Sequence, residues 1–140
     1  MIKNSSKILC LVPLFLLLIN CNRREKLKKV QKENVVMEKF DVFYNEFHSD
    51  SLFQMSRIKF PLQGQNIDGF KKNKWTKVNW VLLKTKIYDI DTLEFKTRWE
   101  KSATSFVQKC YLEHSGFSSE YRFQLIKKKW YLTYALDITI

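Results

Sequence analysis

The sequence predicts an α+β domain, with helices at the front packed on one face of an antiparallel sheet from the C-terminal third. Three observations predict it. Val36, Phe40, Phe43 and Phe47 recur at three- and four-residue spacing, with Tyr44 beside them, which is the period of a helix with one apolar face. Residues 106–112, 121–125 and 130–140 alternate instead, which is the period of a strand with one buried face. Gly116 and the Lys127-Lys128-Lys129 run separate these segments as turns.

Composition agrees with one packed core. The chain has 140 residues, 45% hydrophobic and 15% aromatic, with only 3 glycines and 2 prolines. That is too apolar for a disordered chain and leaves little material for long structureless loops. The formal net charge is +11, but it is unevenly placed. From position 35 onward there are 17 basic and 12 acidic residues, a net of +5, so the high charge belongs mainly to the N-terminal segment.

That segment begins with Lys3 and Lys7, followed by a nearly unbroken apolar run over residues 8–19. A membrane-spanning helix needs roughly 20 apolar residues. Twelve fit the apolar region of a secretory signal instead. The run ends at Leu18-Ile19-Asn20-Cys21, which resembles a bacterial lipobox: an aliphatic residue three places before a cysteine and a short residue just before it. Asn20 departs from the usual Ala, Gly or Ser. The resemblance implies a signal peptide over residues 1–20, diacylglycerol on the Cys21 sulfur, and usually a second acylation, such as palmitate, on its amine. Several acyl chains hold a protein on a membrane where one does so marginally.

With Cys10 lost and Cys21 modified, Cys110 has no disulfide partner, and its alternating surroundings make it a small buried hydrophobe. Residues 21–35 form a charged tether, either a solvated spacer or a segment lying on anionic headgroups. Asn22-Arg23-Arg24, rather than an acidic run, follows the cysteine. The expected location is the cell envelope, lipid-anchored, at the outer membrane facing the periplasm.

Residues 36–140 are read as a single α+β domain. After the first helix, Ser49-Asp50-Ser51 breaks the pattern, and Asp50 or Ser51 can cap a short second helix through Ser56. Pro61 then favours an extended chain at Phe60. Residues 63–69 read as a polar loop. Residues 71–87 fit a helix through Trp75, Val78 and Leu82, and equally a strand through Val78, Trp80 and Leu82. A turn is expected at residues 89–91. In the last segment, Trp130, Leu132, Tyr134, Leu136, Ile138 and Ile140 should share one apolar face, with Asp137 on the other.

Phe43, Phe47, Asp50, Phe53-Gln54, Arg57-Ile58 and Phe60-Pro61-Leu62 resemble a family of small bacterial lipoproteins, the domain-of-unknown-function family 4348, as do Trp75, Trp80 and a terminal hairpin with Trp130-Tyr131-Leu132. The resemblance implies a nuclear-transport-factor-2-like cone, in which helices pack into a curved sheet. A cystatin-like fold is the neighbouring alternative, with one helix before the first strand rather than two or more. Neither implies an activity. Isomerase chemistry in such a cone needs an inward carboxylate and an oxyanion donor, and the expected register turns Asp137 away.

Arg57, between apolar neighbours, needs a partner. It is read as a clamp to Asp50 or as an anion-reading group in a pocket. Trp75, Trp80 and Trp130 are candidate ligand-lining residues, although wide aromatics are usually core. His48 and His114 lack metal-ligand spacing, no residue pattern requires a cofactor, and no catalytic set is evident. Expected partners are membrane lipid through Cys21 and a small apolar ligand or an envelope protein, not nucleic acid. The function read from the sequence is a non-enzymatic binding module, the alternative an enzyme acting on a small substrate in the cone.

Overall fold

The computed structural model describes residues 36–140. The apolar run, Cys21 and the charged tether lie outside the described residues. Helix α1 spans Phe40–Ser49 and buries Phe40, Phe43, Tyr44 and Phe47. Val36 lies ahead of it and is 81% exposed, so the apolar stripe starts at Phe40. Helix α2, Ser51–Ser56, starts where expected: the Asp50 carboxylate accepts the Leu52 and Phe53 N–H groups at 2.8 and 3.0 Å. Such a cap contributes about 1 kcal/mol.

Six strands follow: β1 Ile58–Asp68, β2 Lys71–Trp75, β3 Lys96–Lys101, β4 Ser105–Tyr111, β5 Ser118–Ile126 and β6 Lys129–Thr139. They form one sheet in the order β2-β1-β6-β5-β4-β3. Residues 63–68, expected as a loop, continue β1. All six pair with β6 and residues 66–68 pair with β2 as well, and backbone pairing leaves no apolar period in Gln63-Gly64-Gln65-Asn66. Of the ambiguous segment, residues 71–75 are strand; the remainder is irregular and leads to a single 3-10 turn at Ile87–Asp89.

The sheet is mixed, not wholly antiparallel, because β1 and β6 run parallel. No hairpin links these two strands. Their direction is set by α2, which delivers Arg57 beside the start of β6, where its carbonyl accepts the Leu132 N–H at 2.9 Å. Gly64 lies against β6 so closely that a Cβ there would stand 1.9 Å from the Ala135 carbonyl oxygen, and its φ of +95° also favours glycine. Register shifts interrupt β1 and β6, and such bulges bend a sheet.

The bulge in β6 changes which side chains are inside. Arg122 pairs with Tyr134 and Phe123 with Leu132, so Thr133 has no partner on β5. Its hydroxyl donates to the Arg122 carbonyl at 3.2 Å. The inward series is therefore Trp130, Leu132, Ala135 and Asp137, and the expected series through Tyr134, Leu136 and Ile138 is corrected after Leu132. Period-2 reading assumes an unbroken pleat, and one extra residue reverses every later side chain.

Helix α1 packs on the first half of this face. Phe43 meets Phe123 edge to face at 5.9 Å, and Phe40 meets Phe106 and Trp130 at 4.5 and 4.9 Å. Phe43→Ala should lower stability by about 3–5 kcal/mol, read as a shift in the denaturation midpoint. Tyr134→Ala, on the outer face after the bulge, should cost much less.

Candidate functional site

Cross-strand pairing sorts the inner face into rows. Phe106, Phe123 and Leu132 form the first, fully buried beneath α1. Gln108, Tyr121 and Ala135 form the second, and Cys110, Ser119 and Asp137 the third. The face thus turns from apolar to polar along the strands. Residues of the 82–95 connection stand opposite the later rows and enclose with them a cleft of about 420 Å³. Leu82, Leu83, Ile87, Ile90, Phe95 and Phe117 supply its apolar lining; Gln108, Cys110, Ser119 and Tyr121 line it from the sheet. Lys84, Asp89 and Asp91 also line it.

Gln54 anchors this connection. Its Nε2 donates to the carbonyls of Phe47 and Leu83 at 2.6 and 2.8 Å, and its Oε1 accepts the Leu83 N–H at 2.9 Å and the Trp80 indole N–H at 3.1 Å. The side chain is almost wholly buried and its hydrogen-bonding capacity is filled.

A second chain of hydrogen bonds orients Gln108. The Ile87 N–H donates to the Tyr44 hydroxyl oxygen at 3.0 Å, so the Tyr44 O–H donates onward, to Gln108 Oε1 at 2.5 Å. Burial pushes the Tyr44 hydroxyl pKa well up, so it remains a donor. The oxygen end of Gln108 is thereby occupied and its amide NH2 is left for the cleft.

Tyr121 donates its hydroxyl to Asp137 Oδ1 at 2.6 Å. Burial raises the Asp137 pKa above the ordinary carboxylate range, and the Tyr121 hydrogen bond offsets part of that rise. Burial raises Tyr121 strongly, with the Asp137 charge adding to it. Burial also raises the Cys110 thiol pKa. His48 donates from Nδ1 to the Tyr44 carbonyl at 2.8 Å, while its buried Nε2 has no partner among the described residues. Burial lowers its pKa. Among the described residues, no group of three or more His, Cys, Asp or Glu side chains is placed to hold a metal ion.

A family profile bearing the description "-like" matches residues 38–140. The chain belongs to that family. Among solved structures, a cystatin-like protein from Bacteroides caccae is 25% identical, with a TM-score of 0.57 over 71% of this chain and 75% of that one. A protein from Bacteroides uniformis is 24% identical, with a TM-score of 0.53 over 70% and 75%. An ntf2-like protein from Bacteroides fragilis, 23% identical, gives only 0.48 over 74% of this chain and 48% of its own. A search of curated proteins found no match. The helix pair and curved mixed sheet thus share the cone fold of that cystatin-like protein, with two helices before the first strand.

The residues singled out from the sequence fall into two pairs, Trp75 with Trp80 and Arg57 with Trp130. Trp75 and Trp80 meet edge to face at 5.2 Å, and the Trp75 indole donates to the Ala135 carbonyl at 2.8 Å. The Trp130 indole donates to the Glu38 carbonyl at 3.1 Å. None of the three tryptophans lines the cleft, and neither does Arg57.

Arg57 is a clamp, but its partner is Glu38 rather than Asp50, whose carboxylate is committed to capping α2. Its guanidinium donates to both Glu38 carboxylate oxygens at 3.0 and 2.8 Å and to the Trp130 carbonyl at 3.1 Å. Glu38 in turn accepts the Trp130 N–H at 2.6 Å. The residues that sequence reasoning missed are Gln108, Tyr121 and Asp137. The available signal was Gln108, a polar residue between Phe106 and Cys110 on an apolar face.

Two outcomes follow. Arg57→Lys keeps the charge but loses the planar fork. With the pair only 12% and 19% exposed, the cost should be about 2–3 kcal/mol, measured as a lower melting midpoint without added ligand. For Asp137, the folded state binds more protons than the unfolded one between the ordinary aspartate pKa of about 3.9 and the raised value. Stability contributed by this group therefore falls as pH rises through that window. Asp137→Asn retains an acceptor for Tyr121 and removes the charge. It should be at least as stable as wild type at neutral pH, with the advantage disappearing at low pH in denaturant titrations. His48, lowered, gives the opposite slope in both proteins, so the difference between them isolates Asp137.

Proposed function

We propose that this chain is a cell-envelope lipoprotein whose domain binds a small, largely apolar ligand in the cleft between the 82–95 connection and the inner face of β4 and β5. The observation that carries the binding half is the cleft itself: an apolar wall facing a few polar side chains held by buried hydrogen bonds is the usual composition of a small-molecule site. The envelope half rests on the sequence. Lys3 and Lys7, the apolar run and Leu18-Ile19-Asn20-Cys21 support a signal peptide, lipid and palmitate at Cys21, and a place on the outer membrane facing the periplasm. The run from Phe53-Gln54 to Leu62 supports membership of domain-of-unknown-function family 4348. Among the described residues no helix is long and apolar enough to cross a membrane.

A catalytic reading has one observation in its favour. The β6 bulge brings Asp137 onto the inner face, hydrogen-bonded to cleft-lining Tyr121. A carboxyl and a hydroxyl beside an apolar cleft are the kinds of group that proton transfer uses. The binding reading requires no reaction and is preferred.

Each half has its own test. Growth with a labelled fatty acid should label wild type and leave Cys21→Ser unlabelled and released from membranes; label retained by the variant would exclude the anchor. For the cleft, the uncharged dye Nile red should brighten with wild type and fail to do so with Ser119→Phe, which fills the site, while the melting midpoint stays within a few degrees. Equal brightening by both folded proteins would exclude the cleft as the site.

A further inference from the structure

We infer that the cleft selects a neutral apolar molecule carrying a carbonyl oxygen, such as a ketone, ester or amide, over a carboxylate of the same length. The inference rests on the binding reading above and specifies its ligand. The decisive group is Gln108. It is 4% exposed and sits on the inner face between the apolar row under α1 and the third row. Its oxygen is taken by Tyr44, whose own proton is directed there because Ile87 N–H already fills the hydroxyl oxygen. An amide held this way cannot turn over without stranding the Tyr44 proton. The Nε2 group therefore faces the cleft as a donor, with no protein acceptor among the described residues. Ser119, one row on, adds a hydroxyl to the cleft lining beside Tyr121.

Donors alone would also suit a carboxylate, and desolvation decides against it. Lys84, Asp89 and Asp91 line the cleft on its exposed side, and Asp89 is also paired with Lys86 at 3.4 Å, so these charges balance. Asp137 lies behind Tyr121 and adds further negative charge when ionised. No arginine lines the cleft. A carboxylate seated at Gln108 would lose its hydration in the buried part of the cleft, away from the exposed Lys84, which is costly in an apolar site. A carbonyl oxygen accepts from Gln108 at little desolvation cost, and its alkyl arms contact Leu82, Leu83, Ile90 and Phe117.

The test uses the folded domain, 2-octanone and octanoate, followed by NMR. The expected result is a titrating shift of the Gln108 side-chain amide and of Leu83 and Phe117 with 2-octanone, and at least tenfold weaker binding of octanoate. Gln108→Met should weaken 2-octanone about tenfold. Because that variant also strands Tyr44 and can lose its fold, Ser119→Ala is measured beside it and should weaken the ketone by a few-fold. Octanoate binding as tightly as the ketone, or ketone shifts at Leu83 and Phe117 without any at Gln108, would overturn the inference and leave the cleft reading standing. No shift in cleft residues with either probe would overturn both.

Discussion

One extra residue in the last strand governs what the inside of this domain offers. Thr133 is left unpaired between Arg122 and Phe123 on the neighbouring strand, and from that point β6 presents its other set of side chains inward. Without the bulge, Tyr134, Leu136 and Ile138 would complete an apolar face continuous with Trp130 and Leu132. With it, Ala135 and Asp137 take those places, one too small to fill the space and one polar. A cleft beside the second and third rows, rather than a filled core, is the direct result. The bulge also bends the sheet, and bending is what gives a cone an inside.

The two ends of that interior are held differently. At the helical end, Glu38, Arg57 and Trp130 tie the chain entering α1 to the end of α2 and the start of β6 through bidentate and backbone hydrogen bonds. Arg57 stacks over Phe53 at 4.6 Å, so the charge pair is roofed by aromatic carbon as well as paired. At the open end, Gln54 reaches from α2 and holds the backbone of Leu83 by both its N–H and its C=O, as another strand would. The 82–95 connection has almost no regular structure of its own, and this substitute pairing keeps it over the sheet. The polar groups with the most demanding geometry are therefore structural ones that build the cleft, while Gln108 and Ser119 face its interior.

The sequence carried a good part of this architecture. The Phe40, Phe43 and Phe47 stripe, the Asp50 cap and the alternating runs of β4 and β5 are local signals, written in 3.6- and 2-residue periods that need no knowledge of the rest of the chain. Arg57 could be read as a residue needing a partner, since an isolated guanidinium among apolar neighbours is costly. Its actual partner could not, because Glu38 lies 19 positions upstream and nothing local distinguishes it from Asp50. Gln108 was visible as a polar interruption of an apolar face, but its orientation depends on Tyr44, 64 positions away.

By itself the sequence determined the class of fold, the order of helices before sheet, and the composition of the first, apolar row. Those follow from local propensity and from burial of apolar area, which residue identity and spacing largely specify. The tertiary structure alone decided that β1 runs parallel to β6, that residues 63–68 are strand, and that Asp137 points inward. Each of these turns on backbone pairing between segments remote in sequence. Backbone N–H and C=O groups are the same in every residue but proline, so such pairing leaves little trace in side-chain pattern, and a single unpaired threonine reverses the face that the pattern implies.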